Sequence, residues 1–224
     1  MVHSRHPAAL FAKRAYRSVT RFSLPAPRVL VLPVLRAVLG VRSVAHFVRR
    51  VFYAEPLFKA YCAEYGRDVH TGIFLHWVIG KGRIILGDDV LVDGKSSFIF
   101  AARYSANPTL RIGNRSGLGH NCVITVAKSI TIGDDCRIAG GVTMFDSSGH
   151  PSDPDGRRRG EAASDDAVRP IVIEDNVWLG GGVTIYPGVT IGANSVVATG
   201  AVVTASCPPN SLLIGNPARR MMSV

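Results

Sequence analysis

From Ile79 onward the aliphatic residues recur at every sixth position. Ile173, Leu179, Ile185, Ile191, Val197 and Val203 form one unbroken series. The residues four places after each are Val177, Val183, Val189, Ser195, Ala201 and Cys207, all small or β-branched. An earlier series runs Ile112, Leu118, Ile124 and continues, after a two-residue slip, as Ile132, Ile138 and Met144; Leu86, Val92 and Phe98 precede it. Six is no multiple of 3.6, and abundant Gly and β-branched residues disfavour helix. Simple hairpins alternate with period two. A strict hexad fits short flat strands joined by tight corners and wound into a prism. Every sixth aliphatic then points inward, and the small residue four places on fits beside it. The spacing therefore predicts a mainly β protein, a parallel β-helix. Three hexads make a coil of about 18 residues, so the chain supports roughly five coils.

The first third has a different period. In residues 8–22, Phe11, Ala15, Val19 and Phe22 share one helical face, and Lys13, Arg17 and Arg21 share another. Pro25, Pro27 and Pro33 separate this helix from a second over residues 34–52. There Val34, Leu35, Val38, Ala45, Val48 and Phe52 oppose Arg42, Arg49 and Arg50. A third short helix is expected from Pro56 to Tyr65, ending at Gly66. The longest apolar stretch, Val29–Val41, is interrupted by Pro33 and Arg36 and reads as too short and too broken to span a bilayer. Two domains are expected: a basic amphipathic helical arm, 1–67, and a β-helix, 68–224.

The charge follows the same division. Of the net +10, residues 1–67 carry 12 Lys/Arg against 2 Asp/Glu, whereas residues 68–224 carry 14 of each. A neutral body argues against a uniformly basic nucleic-acid-binding protein, so no nucleic acid is expected as a partner. Basic amphipathic helices with aromatic residues suit an anionic membrane surface. Equally, they suit packing on the body or on a neighbouring subunit with their basic faces solvated. The expectation is a cytoplasmic protein with peripheral contact at the inner membrane face through residues 8–52. Cys62, Cys122, Cys136 and Cys207 form no metal-ligand spacing. They read as small core residues in a reducing compartment.

The hexads stop at Met144 and resume at Ile173, a gap of 29 that leaves the coil through a long polar loop, 145–170. It holds His150, in Asp146-Ser147-Ser148-Gly149-His150-Pro151, and the run Arg157-Arg158-Arg159, which suits either an anion or plain solvation. Long excursions from a regular scaffold often carry function.

The [Ile/Leu/Val]-Gly-x-x-x-x hexad over residues 79–207 resembles the hexapeptide-repeat acyltransferases. Gly149-His150-Pro151, the stretch Ile173–Gly180, and the tail 208–224 with Pro208-Pro209-Asn210 and Gly215-Asn216-Pro217-Ala218-Arg219 resemble their galactoside, maltose and xenobiotic O-acetyltransferase branch. The resemblance implies a left-handed winding, against the usual crossover rule. It also implies acetyl-CoA as co-substrate, no metal, a homotrimer with sites between neighbouring subunits, and His150 as general base. Asn121 aligns with an acceptor-site asparagine; the alternative is a plain corner residue. Trp178, Gly181, Thr199, Thr204 and Arg219 match positions along the coenzyme A groove. Where the family often has Lys after Thr204, this chain has Ala205, which leaves Arg219 and Arg220 as the natural cations for the nucleotide phosphates.

The chemistry is coherent. A sugar hydroxyl is a poor nucleophile at neutral pH, and a neutral imidazole accepts its proton as it attacks a thioester. No acyl-enzyme is needed. Asp146, four residues before His150, is suited to orient the imidazole, as the acid does in a triad; Asp-Ser-Ser-Gly is also good turn chemistry. The expected function is transfer of an acetyl group from acetyl-CoA to a hydroxyl of a sugar or glycan acceptor, as in polysaccharide biosynthesis. The runner-up is a non-catalytic trimeric β-helix scaffold with a membrane- or partner-binding arm. A β-helical carbonic anhydrase is disfavoured, because His70, His76, His120 and His150 show no close pair of zinc ligands within one loop.

Overall fold

The computed structural model describes residues 7–223; Met1–His6 and Val224, the extremes of the expected arm and tail, lie outside it. The chain forms two compact units, Met1–Ala45 and His46–Val224. The boundary expected at 67/68 therefore moves toward the N-terminus, because residues after His46 pack onto the coil.

In the first unit, α1 spans Pro7–Thr20, and α2 begins at Arg28 and continues through Arg49. Neither helix has a buried residue. Pro33 does not separate two helices, contrary to the sequence reading. It lies six residues into α2, where its missing N–H forgoes one bond near the helix start and the turn before it is held by Leu30 and Val31 N–H groups donating to the Pro27 carbonyl. A π-helical turn, Arg50–Ala54, and α3, Glu55–Lys59, extend the helical run. Arg28–Lys59 is thus long and apolar enough to cross a membrane by length and composition. This corrects the reading of Val29–Val41 as too broken.

The second unit is a stack of six coils, one more than expected. Three parallel sheets have six, eight and six strands, and each coil contributes one strand to each face. The first coil is Cys62–Tyr65, His70–Thr71 and Trp77–Ile79. Cys62–Tyr65 was expected to be helical; instead α3 stops at Lys59 and Gly66 N–H donates to Leu86 O, holding the segment against the next coil. The last parallel strand, Ser211–Ile214, turns back as an antiparallel hairpin with Arg219–Ser223.

The hexads become vertical columns. Ile112, Ile132, Ile173 and Ile191 stack on the first face; Leu118, Ile138, Leu179, Val197 and Leu213 on the second; Ile124, Met144, Ile185 and Val203 on the third. All are buried. The small residues four places on fill the corners: Cys122, Cys136 and Cys207 are buried thiols, and Ser116 accepts from Cys136 N–H at 2.9 Å while donating to Gly133 O at 2.7 Å. Cys62 is half-buried, and its thiol is pushed up to about 12 by that burial.

The N-terminal end of the stack is closed by Phe58 of α3, which is fully buried against His76 (ring centroids 4.6 Å) and Phe98 (5.8 Å). His76 accepts from Ser96 N–H at 3.2 Å through Nδ1, and its buried Nε2 has no partner among the described residues. Burial lowers its pKa to about 4. The folded state thus holds the imidazole neutral while the unfolded chain takes up a proton below about pH 6.5. The stability conferred by His76 is full above pH 6.5 and lost as the pH falls toward 4, by about 3 kcal/mol in total. Urea unfolding is expected to show a wild-type loss of about 2 kcal/mol between pH 7 and pH 5 that is absent from His76→Phe; parallel curves for the two proteins would contradict it.

Candidate active site

Two corners of the prism carry the residues singled out in the sequence. The corner between the second and third faces holds His120-Asn121, Gly140-Gly141, Gly181-Gly182 and Thr199-Gly200 in successive coils. The second member of each pair has positive φ, 59° at Asn121 and 67–75° at the three glycines. Asparagine is the side-chain-bearing residue that tolerates this conformation best, so Asn121 forms the turn as well as any contact it makes. The coils are joined here by Gly141 N–H to His120 O, Gly182 N–H to Gly140 O and Gly200 N–H to Gly181 O. His120 lays its ring over Gly140, where any Cβ would meet the imidazole at 2.7 Å.

Above this corner lies a concave cavity of about 450 Å³, lined by His46, Phe74, Asp93, Lys95, His120 and Asn121 with Gly72, Ile73 and Gly94. Sequence reasoning reached only Asn121 of this set. The others come from three coils and the end of α2, and the available signal was His120, two places after a hexad aliphatic, where later coils have Gly and Thr. A second cavity, of about 300 Å³, adjoins it through Asp93 and is bounded by Arg137 and by Trp178, which is 56% exposed. Gly181 and the exposed Thr199 leave the backbone of the corner open on the C-terminal side. Arg219 lies exposed on the terminal hairpin, beside Arg220.

The other corner, between the third and first faces, launches the loop. It leaves after Thr143–Phe145 and returns at Ile171–Ile173. The loop is well anchored: Ala163 N–H donates to Gly149 O, Tyr104 OH to Ala163 O, and Lys128 Nζ to Val168 O. A short helix, α4 (Pro154–Arg158), is capped by Asp153, which accepts from Gly156 N–H. The arginine run is spent within the loop: Arg157 donates to Pro151 O and Ser152 O, Arg158 pairs with Asp155, and Arg159 with Glu161. Thr204 is exposed at this same corner, two coils further on.

His150 is exposed at the mouth of the loop. Its carbonyl accepts from Ser148 Oγ, and its imidazole has no hydrogen bond among the described residues. Asp146 does not orient it. The Asp146 carboxylate is fully buried and accepts three backbone N–H groups, from Ala127 (2.6 Å), Lys128 (2.7 Å) and Ser129 (2.9 Å). Burial pushes its carboxyl pKa up while those three donors pull it down. Asp146 is therefore a clamp that ties the loop to the preceding coil, and its proximity to His150 along the chain does not become contact in space. Within one copy, the root of the His150 loop and the open Gly181–Thr199 corner stand at opposite edges of the third face. From Gly141 to Asp146 the chain crosses this face in about 16 Å of extended backbone.

Comparison with known proteins gives a consistent picture. The bacterial transferase hexapeptide (six repeats) family model matches residues 170–205, and that of the hexapeptide repeat of succinyl-transferase matches residues 109–145. Galactoside O-acetyltransferase of Escherichia coli (strain K12) is 40% identical over 116 residues, 52% of this chain and 55% of that protein. The chain thus spans about half the length of the curated relatives it matches. Among solved structures, a hexapeptide-repeat-containing acetyltransferase from Vibrio cholerae is 37% identical, with TM-score 0.53, over 62% of this chain and 72% of that chain. Its complex with acetyl coenzyme A superposes at TM-score 0.54 and 29% identity, over 79% and 81%. A galactoside acetyltransferase in complex with coenzyme A superposes at TM-score 0.53 and 32% identity, over 75% and 68%.

Proposed function

We propose, for a chain that belongs to the hexapeptide-repeat acetyltransferases, that it transfers an acetyl group from acetyl-CoA to a hydroxyl of a sugar or glycan-type acceptor. The observation that carries this reading is the exposed His150 imidazole, held out by an anchored loop that interrupts an otherwise regular coil. The acetyl-CoA and coenzyme A complexes of the two structural relatives support the donor. The name of the Escherichia coli relative supports the class of acceptor.

His150 is the general base in this reading. Its imidazole takes the proton of the acceptor hydroxyl as the oxygen attacks the thioester carbonyl. The C–S bond then breaks, and the departing thiolate takes the proton back from the imidazolium. The donor fits the corner of small residues: Gly181, Gly182 and Thr199 let a thin pantetheine arm approach backbone amides, Trp178 presents an exposed aromatic face, and Arg219 and Arg220 supply charge for phosphates. Because Thr204 and His150 stand on one corner and Asn121, Gly181 and Thr199 on another, we infer that a complete site takes its loop from one copy and its donor corner from a neighbour. A ring of three such prisms closes this arrangement.

Thiol release from acetyl-CoA, measured across a panel of mono- and oligosaccharides, tests the reading. Acceptor-dependent thiol release with O-acetylated product is expected. Release that no hydroxyl acceptor stimulates, or a product acetylated on nitrogen, would exclude it.

A further inference from the structure

The first unit carries a surface that acetyl transfer does not use. Residues 1–54 contain ten Lys and Arg and neither Asp nor Glu. With successive residues of α2 placed 100° apart, Arg28, Arg36, Arg42 and Ser43 fall within an arc of about 120°. The opposite half of this part of the helix, Val29, Leu30, Val34, Ala37, Val38, Val41 and Val44 with Pro33 and Gly40, has no polar side chain. Among the described residues nothing covers it: Leu30 is 68% exposed, Val41 72% and Val44 65%. The preceding α1 repeats the design, with Phe11 and Val19 exposed on one side and Lys13 and Arg17 on the other.

We propose that α2 lies in the plane of an anionic lipid surface, its apolar half in the acyl boundary and Arg28, Arg36 and Arg42 among the headgroups. Charge decides the occupant. A second copy on this face would cover the apolar half but leave both basic arcs turned outward, with no carboxylate in the first 54 residues of either to pair them. An anionic bilayer supplies both the apolar phase and the counter-charge. Charge also decides the orientation. In a span, Arg36 and Arg42 would lie about 12 and 21 Å from Arg28, inside a hydrocarbon layer about 30 Å thick, where a guanidinium is heavily disfavoured. Lying in plane leaves both at the headgroups.

The test is co-sedimentation of the full chain with vesicles of phosphatidylcholine alone and of equal parts phosphatidylcholine and phosphatidylglycerol. At least tenfold tighter binding to the anionic vesicles is expected, weakening with salt and reversed by alkaline carbonate. The pair Arg36→Gln and Arg42→Gln is expected to weaken binding about fivefold per cation. The pair Val34→Asp and Val41→Asp is expected to weaken it at least tenfold, with the thermal midpoint of the coil unchanged. Equal binding to neutral vesicles, or indifference to both pairs, would overturn the proposal. Retention through carbonate would make the helix a span. Absence of vesicle binding, with an oligomer that the valine pair dissolves, would place a second copy on this face.

Discussion

Replacing His150 with alanine is expected to lower turnover about 10²–10⁴-fold while leaving the thermal midpoint where it is. The two halves of that expectation have separate causes. Removal of a general base forces the acceptor hydroxyl to attack with its proton still in place, or to pass it to water. The unchanged midpoint follows from exposure: the imidazole makes no hydrogen bond among the described residues and fills no core space, so truncation leaves neither a cavity nor an orphaned donor. Acetyl transfer under saturating acetyl-CoA and differential scanning fluorimetry measure the two independently. Full turnover in the variant would remove His150 from the chemistry.

Asp146→Ala is expected to do the reverse, costing about 3–5 kcal/mol of stability and losing activity only as the loop comes loose. Three N–H groups, on buried Ala127 and half-buried Lys128 and Ser129, lose their acceptor together, around a carboxylate that is itself fully buried. Asp146→Asn keeps a single carbonyl oxygen and sets an NH₂ against a donor, so it recovers only part of the loss. An imidazole-orienting role makes the opposite forecast: near-normal stability with a displaced pH–rate profile. Denaturant unfolding alongside that profile distinguishes the two roles.

The contrast between these neighbours shows what was legible in the sequence. The hexads were readable because each coil repeats one contact. Ile132 stacks on Ile173 as Ile173 stacks on Ile191, so a single spacing carries the whole interior. The first coil departs from that rule because its core is completed from outside by Phe58, packed on the coil's own His76, and helix propensity alone prolonged α3 through Cys62–Tyr65. Asp146 misled for a geometric reason. Four residues suggest a pair, but the chain turns outward after Phe145, and the carboxylate's partners are 17 to 19 residues earlier, on the coil before. The cavity at His46, Asp93 and His120 was illegible because its walls come from separate coils and a helix end, an arrangement that no linear motif records.

The position of the loop within the stack has a consequence for its persistence. A β-helix is bonded only to its nearest neighbours along one axis, so it opens from its two ends inward, coil by coil. The excursion leaves the fourth coil, re-enters at the fifth and is clamped where the third passes into the fourth. Fraying beneath α3 at one end, or at the antiparallel hairpin at the other, has to consume whole coils before it reaches the residues that hold out His150. The exposed imidazole is therefore among the last parts of the stack that fraying from either end would reach.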